Sequence, residues 1–196
     1  SIPQLVCSNM ADGQGHTTYD VIVVGMGPAG ATAAAALSRG GLAVLGLDKE
    51  SHPRYKVCGG GLSARIDHVL EPGFRSVVEQ SVNGVQFVYR GQDPLLIQSP
   101  RPIAYMVMRD RFDHYLVQEA LRAGTDIRTG YGVIEIQQDP QGVEVATAQG
   151  RYRAKIVIGA DGANSLVARQ FFPRRSQYRA PALESEVSIG GGQHVP

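Results

Sequence analysis

Cysteine is scarce in these 196 residues: Cys7 and Cys58 stand far apart, with no CxxC spacing. That excludes a disulfide scaffold and a cysteine-ligated zinc site, leaves no metal to expect, and makes a reducing compartment the default. An excess of charge of one sign is also missing. Nineteen basic against 18 acidic residues leave a net +1, so no global field draws the chain to nucleic acid or to an anionic membrane. Residues 1–18 lack the apolar core of a signal peptide and read as a loose polar tail, so the expected place is the cytoplasm. Residues 21–38 carry no charge, but they hold three glycines, a proline and many weakly apolar alanines, which excludes a membrane span. With 43% hydrophobic residues the chain has the material for a real core.

What is present is organised around YDVIVVGMGPAGATAAAALSRGGLAVLGLDKE, residues 19–50. Residues 21–24 are apolar on both parities, the pattern of a parallel strand buried on both faces. Gly25, Gly27 and Gly30 follow as GxGxxG. Gly25 permits the tight turn, Gly27 lets backbone approach a pyrophosphate, and Gly30 lets the next helix pack close to the strand. Pro28 and Ala29 open that helix, where a missing N–H costs nothing and where N–H groups and dipole favour an anion. Gly40 and Gly41 end it. A second strand over 42–47 then closes on Asp48, at the distance where an acid accepts hydrogen bonds from a ribose.

The next stretch, KESHPRYKVCGGGLSARI, has no hydrophobic period. Gly59, Gly60 and Gly61 put no side chain between backbone and a ligand, so a flat ring or a phosphate can come close; a flexible surface linker is the other reading. Cys58 is the only sulfur placed for a site. Lys56 is the nearby cation, and packing against a ligand is the expected role of the thiol. Short apolar runs at 85–89, 95–97 and 104–108, broken by Pro94, Pro100 and Pro102, predict antiparallel strands of another sheet.

Helical period returns after Arg109, with Phe112, Leu116, Ala120 and Ala123 on one face and Gly124 as the stop. Arg109 at a helix start opposes the dipole and calls for an anionic partner, although solvation is the commoner fate of an arginine. Runs at 133–136, 143–147 and 152–154 predict a small antiparallel meander. Residues 156–158 then predict a second buried strand, ending in the turn of Gly159, Asp161 and Gly162 before a helix near Ser165. Ligands of open α/β sheets lie at the carboxyl ends of strands, so this turn is expected to face the first glycine turn. Asp161 is placed either to bond a cofactor hydroxyl or to cap the helix. A last strand is expected at 183–189.

These motifs resemble the FAD-dependent geranylgeranyl reductases, within the flavoprotein superfamily of the aromatic hydroxylases. Residues 19–34 with Asp48 are similar to the FAD fingerprint, PRYKVCGGGL to the segment that sets the reductases apart, and GADGANS to the shared second nucleotide motif. The resemblance implies an α/β fold: a Rossmann-like FAD-binding domain of parallel sheet and antiparallel meander over 19–70 and 109–172. An incomplete, inserted antiparallel substrate-domain sheet would take 71–108 and 173–196. It further implies that Gly25, Gly27, Pro28, Ala29 and Gly30 hold the FAD pyrophosphate, and Asp48, with Lys49 beside it, the adenosine end. Arg109 would meet the phosphates. Cys58, Gly59, Gly60 and Gly61 would lie by the isoalloxazine and the substrate, with Cys58 the candidate catalytic residue, and Asp161 and Gly162 would border the flavin. The implied activity is reduction of C=C bonds in a prenyl chain, with NAD(P)H as transient reductant and at most peripheral membrane contact. A flavin monooxygenase and a non-catalytic FAD-binding fragment are the alternatives.

Overall fold

The computed structural model describes residues 18–172 and 180–185. Strand β1 (Thr18–Val24) leads through the glycine turn into helix α1 (Pro28–Arg39) and strand β2 (Val44–Asp48). Residues 21–24 are buried throughout, as two-sided apolar patterning predicts. Between β2 and helix α2 (Arg109–Arg122) lie five short strands: β3 (Gly61–Ser63), β4 (Val78–Val82), β5 (Gly84–Phe87), β6 (Leu95–Gln98) and β7 (Ala104–Val107). Then follow β8 (Asp126–Thr129), β9 (Val133–Asp139), β10 (Gly142–Thr147), β11 (Gly150–Gly159) and helix α3 (Leu166–Phe171).

The main sheet runs in the order β8-β2-β1-β11-β10-β9. Its first four strands are parallel and its last two antiparallel. The side chains of β1 alternate between two cores. Val21 and Val23 meet α1 and α2 on one face, while Ile22 and Val24 meet Leu45, Leu47, Ile136, Val145 and Val167 on the other. The alanines of α1 keep that helix close to the sheet, Ala31 and Ala34 being fully buried.

Four details depart from the sequence reading. The runs at 152–154 and 156–158 are one strand, β11, because its parallel register with β1 continues unbroken from Tyr19↔Ala154 to Val21↔Ile156. Ile156 is 57% exposed rather than buried, since α1 packs over β1 and β2 and does not reach across β11. The inserted strands form two sheets, β3-β7-β4 and the hairpin β5-β6, because both edges of β7 are taken by β3 and β4. Leu183 to Ser185 are not strand, and the rest of the strand expected at 183–189, like Cys7 and nearly all of the tail, lies outside the described residues.

Candidate functional site

The site is built where β1, β2 and β11 end. The Gly25 amide donates to the Leu47 carbonyl (2.7 Å) and the Ala160 amide to the Val24 carbonyl (2.8 Å), which draws the two glycine motifs together. Gly25 has φ +92°, and a Cβ there would lie 2.6 Å from the Ala160 oxygen. A Cβ on Gly30 would overlap the Gly25 carbonyl. Both glycines are therefore required by the fold itself. Gly27 is different, since a Cβ built on it meets only Nη2 of Arg54, at 3.8 Å. The space beside it is open, and Gly27, the residue that precedes Pro28 and Ala29, supplies no side-chain cap to α1. The helix has no acid in its first turn. Its leading amides and positive dipole end thus face that space.

Asp48 is turned into the protein. Its Oδ2 accepts from the Met26 amide (2.7 Å), its Oδ1 accepts from the Glu50 amide (2.9 Å), and His52 Nε2 stands 3.4 Å from Oδ2. Burial works against its ionisation, but hydrogen bonds from His52 and from the Glu50 and Met26 amides outweigh it and hold the carboxyl below its ordinary value. Lys49 beside it is exposed. Asp161 caps α3 through Oδ2, which accepts from the Leu166 (2.6 Å) and Val167 (3.3 Å) amides. Its Oδ1 is buried with no hydrogen-bond partner among the described residues, so one acceptor remains for a ligand. Gly162 has open space around it.

A second cluster lies on the other side of Gly27. Asp113, wholly buried on α2, accepts two bonds from Arg109 (Nε to Oδ1, 2.8 Å; Nη2 to Oδ2, 2.9 Å), and Arg54 Nη2 stands 3.3 Å from Oδ2. Arg109 thus has its anionic partner four residues along its own helix. Cys58 is exposed beside this cluster. A hydrogen bond from Gly60 and the Arg109 guanidinium hold its thiol below the usual thiol range, against the opposing effects of burial and of Glu184. The cation that matters to the thiol is therefore Arg109, not Lys56. Antiparallel pairing brings it there: Gly61 is level with Met106, and the Val107 amide donates to the Gly60 carbonyl (3.0 Å). Gly60, with φ +69°, leaves no room for a Cβ against Val107, whereas nothing lies within 4 Å of a Cβ on Gly59.

Gly27, Arg54, Asp113, Arg109 and Cys58 thus form one arc, of which the sequence reading named Gly27, Arg109 and Cys58. Arg54 and Asp113 are the residues it missed. The spacing of Arg109 and Asp113 by four on a helix was the one available signal.

Residues 18–178 match the model of the FAD binding domain. The chain belongs to that family. It is 34% identical over 168 residues to the digeranylgeranylglycerophospholipid reductase of Thermoplasma acidophilum, covering 78% of this chain and 41% of the relative. Among solved structures, a geranylgeranyl bacteriochlorophyll reductase-like protein of the same organism superposes with TM-score 0.65 at 30% identity, covering 74% of this chain and 39% of that one. A halogenase in complex with phloroglucinol and FAD gives TM-score 0.64 at 26% identity, covering 78% and 36%. The chain spans about two fifths of the length of the curated relatives it matches. The resemblance to the geranylgeranyl reductases and the mixed parallel and antiparallel FAD-binding fold are both borne out. FAD is the cofactor of this family, and the residues present fit it: an open cradle at Gly27, a helix N-terminus without an acid, and the Arg54 guanidinium beside that cradle, one nitrogen of which is buried with no acceptor among the described residues. Among the described residues no helix is long and apolar enough to cross a membrane.

Proposed function

We infer that this chain is the FAD-binding part of an oxidoreductase that saturates C=C bonds of a geranylgeranyl or related isoprenoid chain, with NAD(P)H as the electron source. Each bond reduced takes up one hydride and one proton, and NAD(P)H leaves as NAD(P)+. FAD, when bound, relays the hydride between nicotinamide and carbon. The observation that carries the reading is the PRYKVCGGGL loop, which sets Arg54 against Gly27 at one end and Cys58 against Arg109 at the other. A likeness to a reductase of digeranylgeranylglycerophospholipids supports the substrate class.

In this reading the amides of Ala29 and Gly30, freed of side chains by Gly27 and of a competing N–H by Pro28, receive the pyrophosphate. Asp48 holds the Met26 amide and has a remaining lone pair for the adenosine ribose, with Lys49 alongside. Arg109 supplies positive charge to the phosphates. Cys58, Gly59, Gly60 and Gly61 border the flavin ring and the alkene, and Asp161 offers Oδ1, beside Gly162, to a cofactor hydroxyl.

Residues 19–70 and 109–172 form the cofactor domain, and 71–108 with 173–196 belong to a substrate domain. The exposed apolar side chains of the β5-β6 hairpin, Phe87, Leu95, Leu96 and Ile97 among them, support that division, since such a face needs a cover or a lipid. The protein is soluble or peripherally attached, and failure of a carbonate wash to release it from membranes would count against this.

The test is anaerobic incubation of the whole protein with NAD(P)H and a geranylgeranyl lipid. A product gaining two hydrogens per bond, with matching NAD(P)H oxidation, supports reduction. In a parallel incubation in air, oxygen uptake coupled to a hydroxylated product would favour a monooxygenase. A chain that holds FAD and turns over neither way is a binding fragment.

A further inference from the structure

We propose that a cleft in the inserted segment holds the phosphate head of the isoprenoid lipid. The proposal rests on the substrate class inferred above and deepens it, naming where the polar end of that substrate is gripped. The cleft lies between the short 3-10 helix Ala64–His68 and strand β4, and Arg75, Arg101 and Tyr105 also line it. Its volume of about 700 Å3 is that of a small-molecule site, and it shares no residue with the cofactor site. Arg75 is built in rather than merely solvated. Its Nη2 donates to Asp67 Oδ1 (2.8 Å), and the Tyr105 hydroxyl donates to Asp67 Oδ2 (2.8 Å). The guanidinium carbon stands 5.4 Å from the centre of the Phe74 ring and 5.8 Å from that of Tyr105. Those rings are buried and packed edge to face, so the core fixes the guanidinium. Yet the Arg75 side chain is 50% exposed, and among the described residues only its Nη2 is hydrogen-bonded. A planar fork anchored at one nitrogen and presenting the others suits a phosphate.

Charge points the same way. The cleft carries two carboxylates, and both are engaged: Asp67 by Arg75 and Tyr105, and Glu79 by Arg111 at 2.7 Å. The Arg101 guanidinium has no partner among the described residues, so a positive charge remains for an anion. Backbone holds Arg101 in place. The Ser99 amide donates to the Asn83 carbonyl (2.7 Å) and the Ile103 amide to the Val82 carbonyl (2.8 Å), which pins the stretch 99–103 to the end of β4. The β5-β6 hairpin grows out of this same junction. Its pairing sets Val85 opposite Ile97 and Phe87 opposite Leu95, so these four side chains share one face, and they are 40%, 54%, 55% and 61% exposed respectively. An apolar face joined to a cationic cleft matches one molecule that carries a phosphate at the end of a hydrocarbon chain. A free phosphate would leave the face unused, and a neutral lipid would leave the guanidiniums unused.

The test is calorimetric titration of the FAD-loaded whole protein with farnesyl diphosphate, farnesol and inorganic pyrophosphate, with melting followed in parallel. Bound FAD keeps the probes out of the cofactor's own phosphate site. The native protein is expected to bind the diphosphate about 10- to 100-fold tighter than the alcohol. Arg101→Glu, at a side chain with no partner to lose among the described residues, should bring the diphosphate down to the affinity of the alcohol. The alcohol and the melting temperature should not change. Arg75→Gln should act likewise, and Arg75→Lys, which keeps a cation on the two rings, replaces it if the glutamine variant does not fold. Phe87→Ser should weaken diphosphate and alcohol alike and leave pyrophosphate untouched. Equal affinities for diphosphate and alcohol in the native protein overturn the proposal, as does an Arg101→Glu variant that separates them as the native protein does. Diphosphate binding that responds to Arg101→Glu but not to Phe87→Ser also overturns it, as the mark of a free-phosphate site. If the cleft fails these tests while the protein reduces a geranylgeranyl chain, the proposed function stands without it. If the protein reduces no prenyl chain but separates diphosphate from alcohol through Arg101, the cleft stands and the reaction is dismissed.

Discussion

A methyl group added at Gly30 would overlap backbone, while one added at Gly27 would enter open space beside Arg54. The two substitutions therefore separate folding from binding. Gly30→Ala is expected to cost about 3 kcal/mol of stability, read by denaturant unfolding. Gly27→Val is expected to keep the melting temperature and to abolish FAD binding, read by the visible spectrum after desalting. Retained flavin bands would mean that the cradle holds something else. At Cys58 the Gly60 hydrogen bond and Arg109 favour the thiolate. In a Cys7→Ser background, the pH midpoint of iodoacetamide labelling should lie below the value of about 8.5 for a free cysteine, and Arg109→Gln should raise it. An unmoved midpoint would remove Arg109 from the thiol's environment.

The elements are joined by a few polar contacts, and Asp48 is the one that ties the end of β2 to the glycine turn through the Met26 amide. Removing a buried, charged acceptor of this kind costs about 2 kcal/mol, so Asp48→Ala should unfold at lower denaturant. The folded-state value of the carboxyl lies below its unfolded value of about 3.9. Its contribution is complete above that unfolded value and is lost as pH falls through the lower, folded one. Asp48→Asn, measured from pH 7 to pH 2, should therefore be less stable than native at neutral pH and should lose less on acidification. Parallel curves would show that Asp48 is not depressed. The β5-β6 hairpin is tied down least, with Phe87, Leu95, Leu96 and Ile97 each more than half exposed. Amide exchange over 84–98 should be much faster than in β1, which buried strands flank on both sides. Equal protection would contradict the division into cofactor and substrate parts.

At the scale of the whole molecule, the sheet order explains why one site gathers residues from distant stretches. Both β2 and β11 flank β1, so their carboxyl ends deliver Asp48 and Asp161 to the turn that begins at Gly25. The strand, turn and helix over 18–39, the acid at 48 and the turn after 159 were legible because each is encoded locally, by apolar parity, glycine spacing and a helix period. Strands β3, β4 and β8 were not, being short and marked by little apolar pattern of their own; pairing with β7 or β2 makes them strands. The same holds for the arc from Gly27 to Cys58. Composition placed Cys58 near Lys56, and only the β3-β7 register, which sets Gly60 against Val107, replaced that lysine by Arg109. Nor does any local pattern announce that Asp113, in the first turns of a surface-period helix, is fully buried between two arginines. By itself the sequence determined the nucleotide-binding fold, because turns and periodicities act between near neighbours, whereas FAD followed from the resemblance of its motifs to a known family. Tertiary structure decided which charges meet, because a carboxylate on α2 and a guanidinium in the loop after β2 share one site only when strand pairing closes the long insert between them.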